Sequence, residues 1–312
     1  MARRGSRRGV EMPGASGFLV VDKPAGWTSH DVVDAARGWF GTRRVGHLGT
    51  LDPLATGVLP LAIRSATKLV PYVQNHDKGY AGAIRLGVVT DTLDAEGRVL
   101  REYAGAWPDE ARLEEAMQSF VGELDQVPPM FSAVKKDGVP LHKLAREGRE
   151  VPREPKRVRV GRFALRKYDP PRLEIEVECS GGTYVRVLAA DLGERLGCGA
   201  HLADLRRTRS GPFTLDQASS PETLRVEAES GEIERRLVSP LAALGLPALR
   251  LSADEVGQVS QGSEIAADGP AGVPGAQIVG HDEQGRVVAI LELRPGRRLR
   301  PLRVLEPFAG RG

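Results

Sequence analysis

Apolar positions change period along this chain, and the changes mark its elements. Residues 17–23 begin with a short apolar run, Phe18-Leu19-Val20-Val21, that predicts a strand ending at Asp22-Lys23-Pro24. Thr28 and Ser29 are good helix caps. They precede Val32, Val33, Ala36 and Phe40 at helical spacing, with Gly41 as the stop. Residues 43–60 are punctuated by Gly and Pro without a clear period and read as an ordered loop. From Tyr80 to Val89 the pattern alternates, placing Tyr80, Gly82, Ile84, Leu86 and Val88 on one strand face. Leu113, Met117, Phe120, Val121 and Leu124 predict an amphipathic helix that starts near Asp109. Residues 125–155, rich in Pro, Gly and charge, read as an excursion from the core.

Leu173 to Cys179 alternates cleanly, apolar on one face and glutamate on the other, and breaks at Ser180-Gly181-Gly182-Thr183. A helix follows, with Val185, Leu188, Leu192 and Leu196 inward and Gly197 as terminator. That puts Tyr184 at a strand-to-helix junction, where side chains often face a cleft. Residues 221–237 form a Glu-rich helix or linker, and 248–308 read as short strands joined by polar turns. No internal repeat is visible. The elements together predict an α+β protein with a small β-rich C-terminal domain.

Length and charge narrow the function. A chain of 312 residues suggests two domains, or one with an appendage. No run approaches the roughly 18 apolar residues of a membrane span, and the apolar stretch after the Arg-rich N-terminus is too short for a signal-peptide core. A cytoplasmic protein with no membrane association is expected. Cys179 and Cys198 form neither CxxC nor a disulfide framework. Histidines 30, 47, 76, 142, 201 and 281 show no ligand spacing, so neither a metal nor a cofactor is expected. The net charge of +3 hides four arginine-rich clusters: residues 3–8, 149–172, 206–209 and 294–303. Arginine forks match phosphate oxygens, so the clusters favour a nucleic acid partner over a merely solvated face. With aromatic residues at 5%, a reader built on many stacking platforms is disfavoured.

The densest chemistry lies in Gly46-His47-Leu48-Gly49-Thr50-Leu51-Asp52-Pro53-Leu54-Ala55-Thr56-Gly57. Its glycines permit close backbone approach, and Pro53 biases Asp52 toward extended geometry, which holds a carboxylate on a stiff loop. Taken alone, Asp-Pro suits an ordinary turn aspartate. The whole string closely resembles the catalytic motif of the TruB family of tRNA pseudouridine synthases, Gly-His-Thr-Gly-Thr-Leu-Asp-Pro-Leu-Ala-Thr-Gly, with Leu48 in place of the usual Thr. That departure bears on loop packing more than on chemistry. Further stretches are similar to other motifs of the family in the same order. They are Asp22-Lys23-Pro24 with the following Trp27-Thr28-Ser29, Lys78-Gly79-Tyr80, Ser180 to Arg186, and Leu196 to Arg207.

The resemblance implies a pseudouridine-synthase fold with a mixed, mainly antiparallel sheet. It also implies a base-isomerising reaction on the T-loop uridine of tRNA, standard position 55, with no cofactor. Asp52 matches the nucleophile, and an unperturbed aspartate would be ionised at neutral pH. Tyr80 would stack on the target base and serve as a general base late in the reaction. Arg186 would pair with Asp52 and lower its pKa by about 1–3 units. Tyr184 and Leu205 would wall the uracil, and His47 would contact the flipped-out nucleotides, while Lys23 and Pro24 would support the catalytic loop.

The implied organisation is a flexible basic tail (1–12), a catalytic domain (13–240) with a thumb-like insertion about 125–155, and a PUA-like RNA-binding domain (245–309). The protein is expected to act as a monomer on the T-arm stem-loop, with an added tRNA-folding role open. The Arg149–Arg172 cluster would grip phosphates beside the insertion. Two other readings compete. A glycoside hydrolase would pair Asp52 with Asp91, Asp94 or Asp204, but none of those sits in a comparably distinctive string. A purely RNA-binding protein would not need Asp52, Tyr80 and Arg186 together. Nucleotide-binding motifs are absent.

Overall fold

The structure is a computed structural model that describes residues 14–73, 76–266 and 273–305. The basic tail expected at 1–12 lies outside the described residues.

Strand β1 (Gly17–Lys23) leads to helix α1 (Ser29–Phe40). Thr28 caps α1 in a reciprocal box with Asp31, Gly41 closes it in the left-handed conformation (φ 57°), and Val32, Val33, Ala36 and Phe40 are buried as the spacing predicts. Residues 43–60 are not one loop. They hold β2 (Val45–His47), the loop 48–55 and the start of β3 (Thr56–Ile63). Seven of the eight β3 residues are buried, so the strand reads as a continuous apolar run without the alternation of a half-exposed strand. Helix α2 (Val70–Val73) and strand β4 (Lys78–Leu86) follow. The face from Tyr80 to Leu86 stands, but β4 stops at Gly87 (φ 81°). Val88 instead belongs to a separate hairpin, β5 (Val88–Thr90) with β6 (Val99–Glu102).

Helix α3 (Glu110–Gln118) is shorter than its apolar spacing suggests. Gly122 turns the chain at φ 119°, and Leu124 lies in β7 (Gly122–Gln126), paired to Val158. The excursion then contains β8 (Lys135–Lys136), β9 (Val139–Pro140) and α4 (Leu141–Arg146). The long hairpin β10 (Lys156–Asp169) and β11 (Arg172–Cys179) leads to α5 (Val185–Leu196), with Tyr184 as its N-cap and Gly197 at its end. Strands β12 (Ala200–Ser210) and β13 (Phe213–Thr214) and helices α6 (Pro221–Glu229) and α7 (Pro240–Leu244) complete this part.

Among the described residues these strands form a nine-stranded sheet, ordered β1-β3-β12-β4-β11-β10-β7, with β2 paired to β3 and β13 to β12. Only β3 and β12 run parallel within it; every other pair is antiparallel, giving the mixed, mainly antiparallel sheet expected. At that junction Gly57 (φ 96°) faces Arg207, and a Cβ there would lie 2.3 Å from the Arg207 carbonyl oxygen. Only glycine allows this approach.

The C-terminal part holds β14 (Ala248–Arg250), α8 (Ala253–Ser260), β15 (Ile265–Ala266), β16 (Gln277–His281), β17 (Val287–Arg294) and β18 (Arg298–Val304). Its five-stranded sheet has the order β14-β16-β17-β18-β15. Alternation in β1 feeds two cores. Leu19 and Val21 join α1 and α5, while Phe18 and Val20 join a second cluster that includes Ala243, Leu244, Val279, Ile290 and Leu305. The C-terminal sheet is therefore packed onto the larger one through shared apolar contacts. Lys68 strengthens the seam by donating to the Val304 carbonyl at 3.1 Å. Leu48, 1% exposed, packs in the same second cluster, which accounts for an apolar residue at that point of the loop.

Candidate active site

A cavity of about 320 Å³ opens on one face of the large sheet. Asp52, Tyr80, Tyr184, Arg186 and Leu205 all line it, brought from the 48–55 loop, β4, the start of α5 and β12. His47 is not among the lining residues. It sits half-buried on β2, where its Nδ1 accepts from the Gly49 N–H at 3.4 Å. Burial and the nearby Arg207 cation hold the imidazole below its usual pKa, so it is neutral at pH 7.

Three neighbours fix the loop that carries Asp52. Ser29, at the start of α1, accepts from the Leu51 N–H (2.8 Å) and donates to the Leu51 carbonyl (3.1 Å). Lys23, fully buried, donates to the carbonyls of Pro24 (2.9 Å), Trp27 (2.5 Å) and Pro53 (3.2 Å). Burial draws its ammonium down to about 8, against the attraction of Asp52.

The third is Arg207, which sequence reasoning placed in a surface phosphate cluster. That placement is wrong: Arg207 has no exposure and points under the cavity. Its guanidinium donates to the carbonyls of Val58 (2.7 Å), Thr50 (3.3 Å) and Gly49 (3.2 Å), and its charge acts on the Tyr80 hydroxyl. A fixed buried cation here also helps to lower the pKa values of Lys78, which falls to about 8, and His47, with burial the larger cause in both. Two adjacent arginines gave no sign in sequence that one turns inward.

Arg186 is 4% exposed and lies between two carboxylates. Its Nη2 is 3.4 Å from Asp52 Oδ2, and its Nη1 is 3.4 Å from Asp94 Oδ2. Asp94 is buried beside the β5–β6 hairpin and also accepts from Thr92 Oγ1 (2.5 Å) and the Glu96 N–H (3.2 Å). In sequence Asp94 had no distinguishing context; here it is the second acid of the arginine pair. Arg186 does act to lower the Asp52 pKa, as expected, but it does not set the net direction. Burial is the largest influence and raises it, Arg186 and Lys23 oppose that, and Asp94 adds to it, so the net direction is upward. Tyr80 and Tyr184 are also raised, chiefly by burial, so both phenols are neutral at pH 7. A neutral Tyr80 is suited to stacking; in its resting state it is not a base.

The Arg149–Arg172 cluster divides in the structure. Val177 pairs with Tyr80 across the strands and faces the cavity side, so Glu176 faces the other way, with Arg162 and Arg166 beside it. Arg172 pairs with Asp204 at 2.5 Å. Arg157 and Arg159 meet Asp125 and Asp77 at 3.3 and 2.6 Å. Most of the run is thus matched to carboxylates, and its later half lies behind the sheet. Among the described residues, no group of three or more His, Cys, Asp or Glu is placed to hold a metal ion, and no helix is long and apolar enough to cross a membrane.

Comparison with known proteins identifies the family. The model of the TruB family pseudouridylate synthase N-terminal domain matches residues 37–185, and that of the tRNA pseudouridylate synthase B C-terminal domain matches 186–244. The chain is similar to tRNA pseudouridine synthase B of Geobacter sulfurreducens, 46% identical over 92% of this chain and 99% of the relative. It is also similar to the protein of that name from Pseudomonas aeruginosa, 44% identical over 93% and 96%. This chain belongs to the TruB family of pseudouridylate synthases. A chain in the crystal structure of a Cbf5-Nop10-Gar1 complex shares the fold, with a TM-score of 0.71 and 26% identity over 93% of this chain and 85% of that one. A TruB-family synthase is an isomerase of uridine in RNA, and the cavity described above is its candidate active site.

Proposed function

We propose that this TruB-family synthase converts the T-loop uridine of tRNA, standard position 55, to pseudouridine, with Asp52 as nucleophile on a base flipped out of the RNA. The observation that carries the proposal is the Asp52–Arg186 pair in a closed-backed cavity walled by Tyr80, Tyr184 and Leu205. The names of the similar bacterial proteins support tRNA as the RNA.

The reaction requires the N1–C1′ bond to break and a C5–C1′ bond to form; C5 loses a proton and N1 gains one, so no atom is added overall. Asp52 acts ionised. Arg186 and Lys23 favour that form against the desolvation that opposes it. Aromatic faces at Tyr80 and Tyr184 hold the detached uracil while it turns, and the neutral phenols keep further charge out of the cavity. A glycosidic carbon inside a stacked loop is out of reach of any side chain, so the nucleotide must leave the stack at a cost of a few kcal/mol. Phosphate contacts from the insertion (125–155) and from a PUA-like unit (245–309) offset that cost, with a single copy of the chain sufficient. His47, outside the cavity wall, is placed to meet flanking nucleotides.

The test is tritium release from a tRNA transcript labelled at uracil C5, since bond formation at C5 expels the label. Wild type should release it, Asp52→Asn should not while keeping its tRNA affinity, and a transcript with cytidine at position 55 should lose the release assigned to that site. Turnover by Asp52→Asn would refute the nucleophile. A wild type that binds tRNA and releases nothing would leave a binding or folding role in its place.

A further inference from the structure

The root of the 125–155 insertion is joined to the site by three hydrogen bonds. Gln126, the last residue of β7, is 3% exposed. Its carboxamide pairs reciprocally with the backbone of Tyr184: the Tyr184 N–H donates to Oε1 at 2.8 Å, and Nε2 donates to the Tyr184 carbonyl at 3.1 Å. Tyr184 is the N-cap of α5, and its own side chain does not cap the helix. The carboxamide thus satisfies the Tyr184 N–H, a helix-start donor that would otherwise be left unpaired, while the Tyr184 carbonyl also accepts from the Val187 and Leu188 N–H groups. A few residues on, the Phe131 carbonyl accepts from Arg186 Nη2 at 2.6 Å.

The distances rank these contacts. Charge-assisted hydrogen bonds from an arginine are normally about 2.7–2.9 Å. Arg186 stands at 3.4 Å from both Asp52 and Asp94, and its buried Nε has no hydrogen-bond partner among the described residues. The one short contact of the guanidinium is to Phe131, in the insertion. The position of the Arg186 charge is therefore set from the insertion side, with slack left toward Asp52. The placement of Phe131 depends in turn on where β7 ends, which is where Gln126 is locked to Tyr184.

We propose that Gln126 is a positioning residue for the isomerisation: by tying the root of the insertion to the start of α5, it places the Phe131 carbonyl and so the distance from Arg186 to Asp52. This rests on the isomerase reading above. It makes the insertion part of the catalytic ion pair as well as a wall for RNA, because any shift of residues 127–134 is passed to the guanidinium. A misplacement of about 1 Å in such a site costs on the order of a hundredfold in rate.

The test compares wild type with Gln126→Glu and Gln126→Leu, using C5-labelled tRNA at saturating enzyme. Gln126→Glu preserves shape and the acceptor for the Tyr184 N–H, but sets an oxygen against the Tyr184 carbonyl. Gln126→Leu removes both bonds. Both variants should lose about tenfold or more in single-turnover rate while tRNA affinity holds. The acidic limb of the rate profile should also move to higher pH. Asp52 is faced by Arg186, Lys23, Asp94, Glu96, Tyr80 and Tyr184, and Arg186 is the main group holding its pKa down.

If Gln126→Leu fails to fold, Gln126→Glu decides alone. Wild-type rates in a folded Gln126→Glu protein overturn the proposal. So does a parallel loss of rate and affinity with an unmoved acidic limb, which marks a merely structural residue. A wild type that releases no label overturns the isomerase reading itself, and this proposal with it.

Discussion

The two faces of the large sheet carry the same kind of ion pair in opposite settings. On the cavity side, Arg186 and Asp94 expose 5% and 3% of their side chains at a separation of 3.4 Å. On the reverse side, Arg172 and Asp204 expose 52% each and approach to 2.5 Å. The closer pair is the weaker one in its effect on the fold. Water and salt screen the exposed charges, and holding two long side chains in one geometry costs entropy, so such pairs contribute about 0–1 kcal/mol. Inside, the charges have lost their hydration and each depends on its partner. Separation alone would rank these pairs in the wrong order; burial decides.

Arg186→Met is the strongest way to break the contrast. It strands Asp94 wholly and Asp52 in part, since Asp52 keeps 35% of its side chain open to the cavity. Removing one partner of a buried pair costs about 3–5 kcal/mol, and the open side of Asp52 places the loss toward the lower end. Urea denaturation at pH 7 would measure it. The same variant removes the main influence that lowers the Asp52 pKa, so the carboxyl protonates at a higher pH than in wild type. Activity that depends on the carboxylate should then fall off earlier on acidification, on top of a large loss in rate. A variant with wild-type stability and an unchanged acidic limb would erase the distinction between the two faces.

Next in size comes Arg207→Met, which tests whether a buried arginine needs a carboxylate at all. Arg207 is met by three carbonyls. Its removal leaves those groups without a donor at about 1–3 kcal/mol each. Water entering from the cavity can serve the Gly49 and Thr50 carbonyls, so a net loss of about 2–3 kcal/mol is expected from the denaturation midpoint. With the buried cation gone, the Lys78 ammonium should titrate above its present value of about 8, because burial then acts without Arg207 beside it. A nitrogen-15 titration of Lys78 would follow that shift, and a downward move would contradict the assignment.

What could be read from sequence follows the range of the interactions involved. Helices α1 and α5 were legible because a 3.6-residue period and a terminal glycine lie close together, with a cap as well in α1. The β3 strand was not, because a strand buried on both faces loses its alternation, and Gly57 and Pro60 imitate turn signals. Leu124 shows the converse: its helical spacing from Val121 and Phe120 is real, but pairing of β7 with β10 overrides it. In the site, Asp52, Tyr80 and Arg186 were accessible through distinctive strings. Asp94, Arg207 and Gln126 sit in ordinary local sequence, and what they do depends on strands that meet only in the fold. The arginine count failed at residues 149–172 for the same reason. A linear cluster cannot show which side of a sheet each side chain takes, or which carboxylate stands across the strand.

The smallest expected effects lie on the reverse face, and they sharpen the comparison because they separate stability from RNA contact. Arg172→Ala breaks the exposed pair with Asp204 and should shift stability by less than about 1 kcal/mol, with the difference from wild type shrinking further as salt is added. It should also leave tRNA affinity unchanged, because Arg172 lies behind the sheet from the cavity. Arg157→Ala should be as mild in stability, since Arg157 and Asp125 are 62% and 57% exposed. It too lies behind the sheet, since Val158 beside it and Leu124 opposite turn into the core, but it stands at the insertion root, where Asp125 adjoins Gln126. If Arg157 leaves Asp125 for a phosphate, its loss should reduce the slope of log affinity against log salt by about one. Measuring both variants across a salt series gives two slopes from residues that a charge count treats as equal. Equal slopes for Arg172→Ala and Arg157→Ala would mean that the RNA does not distinguish the insertion root from the middle of the sheet, and position within the 149–172 cluster would then carry no functional weight.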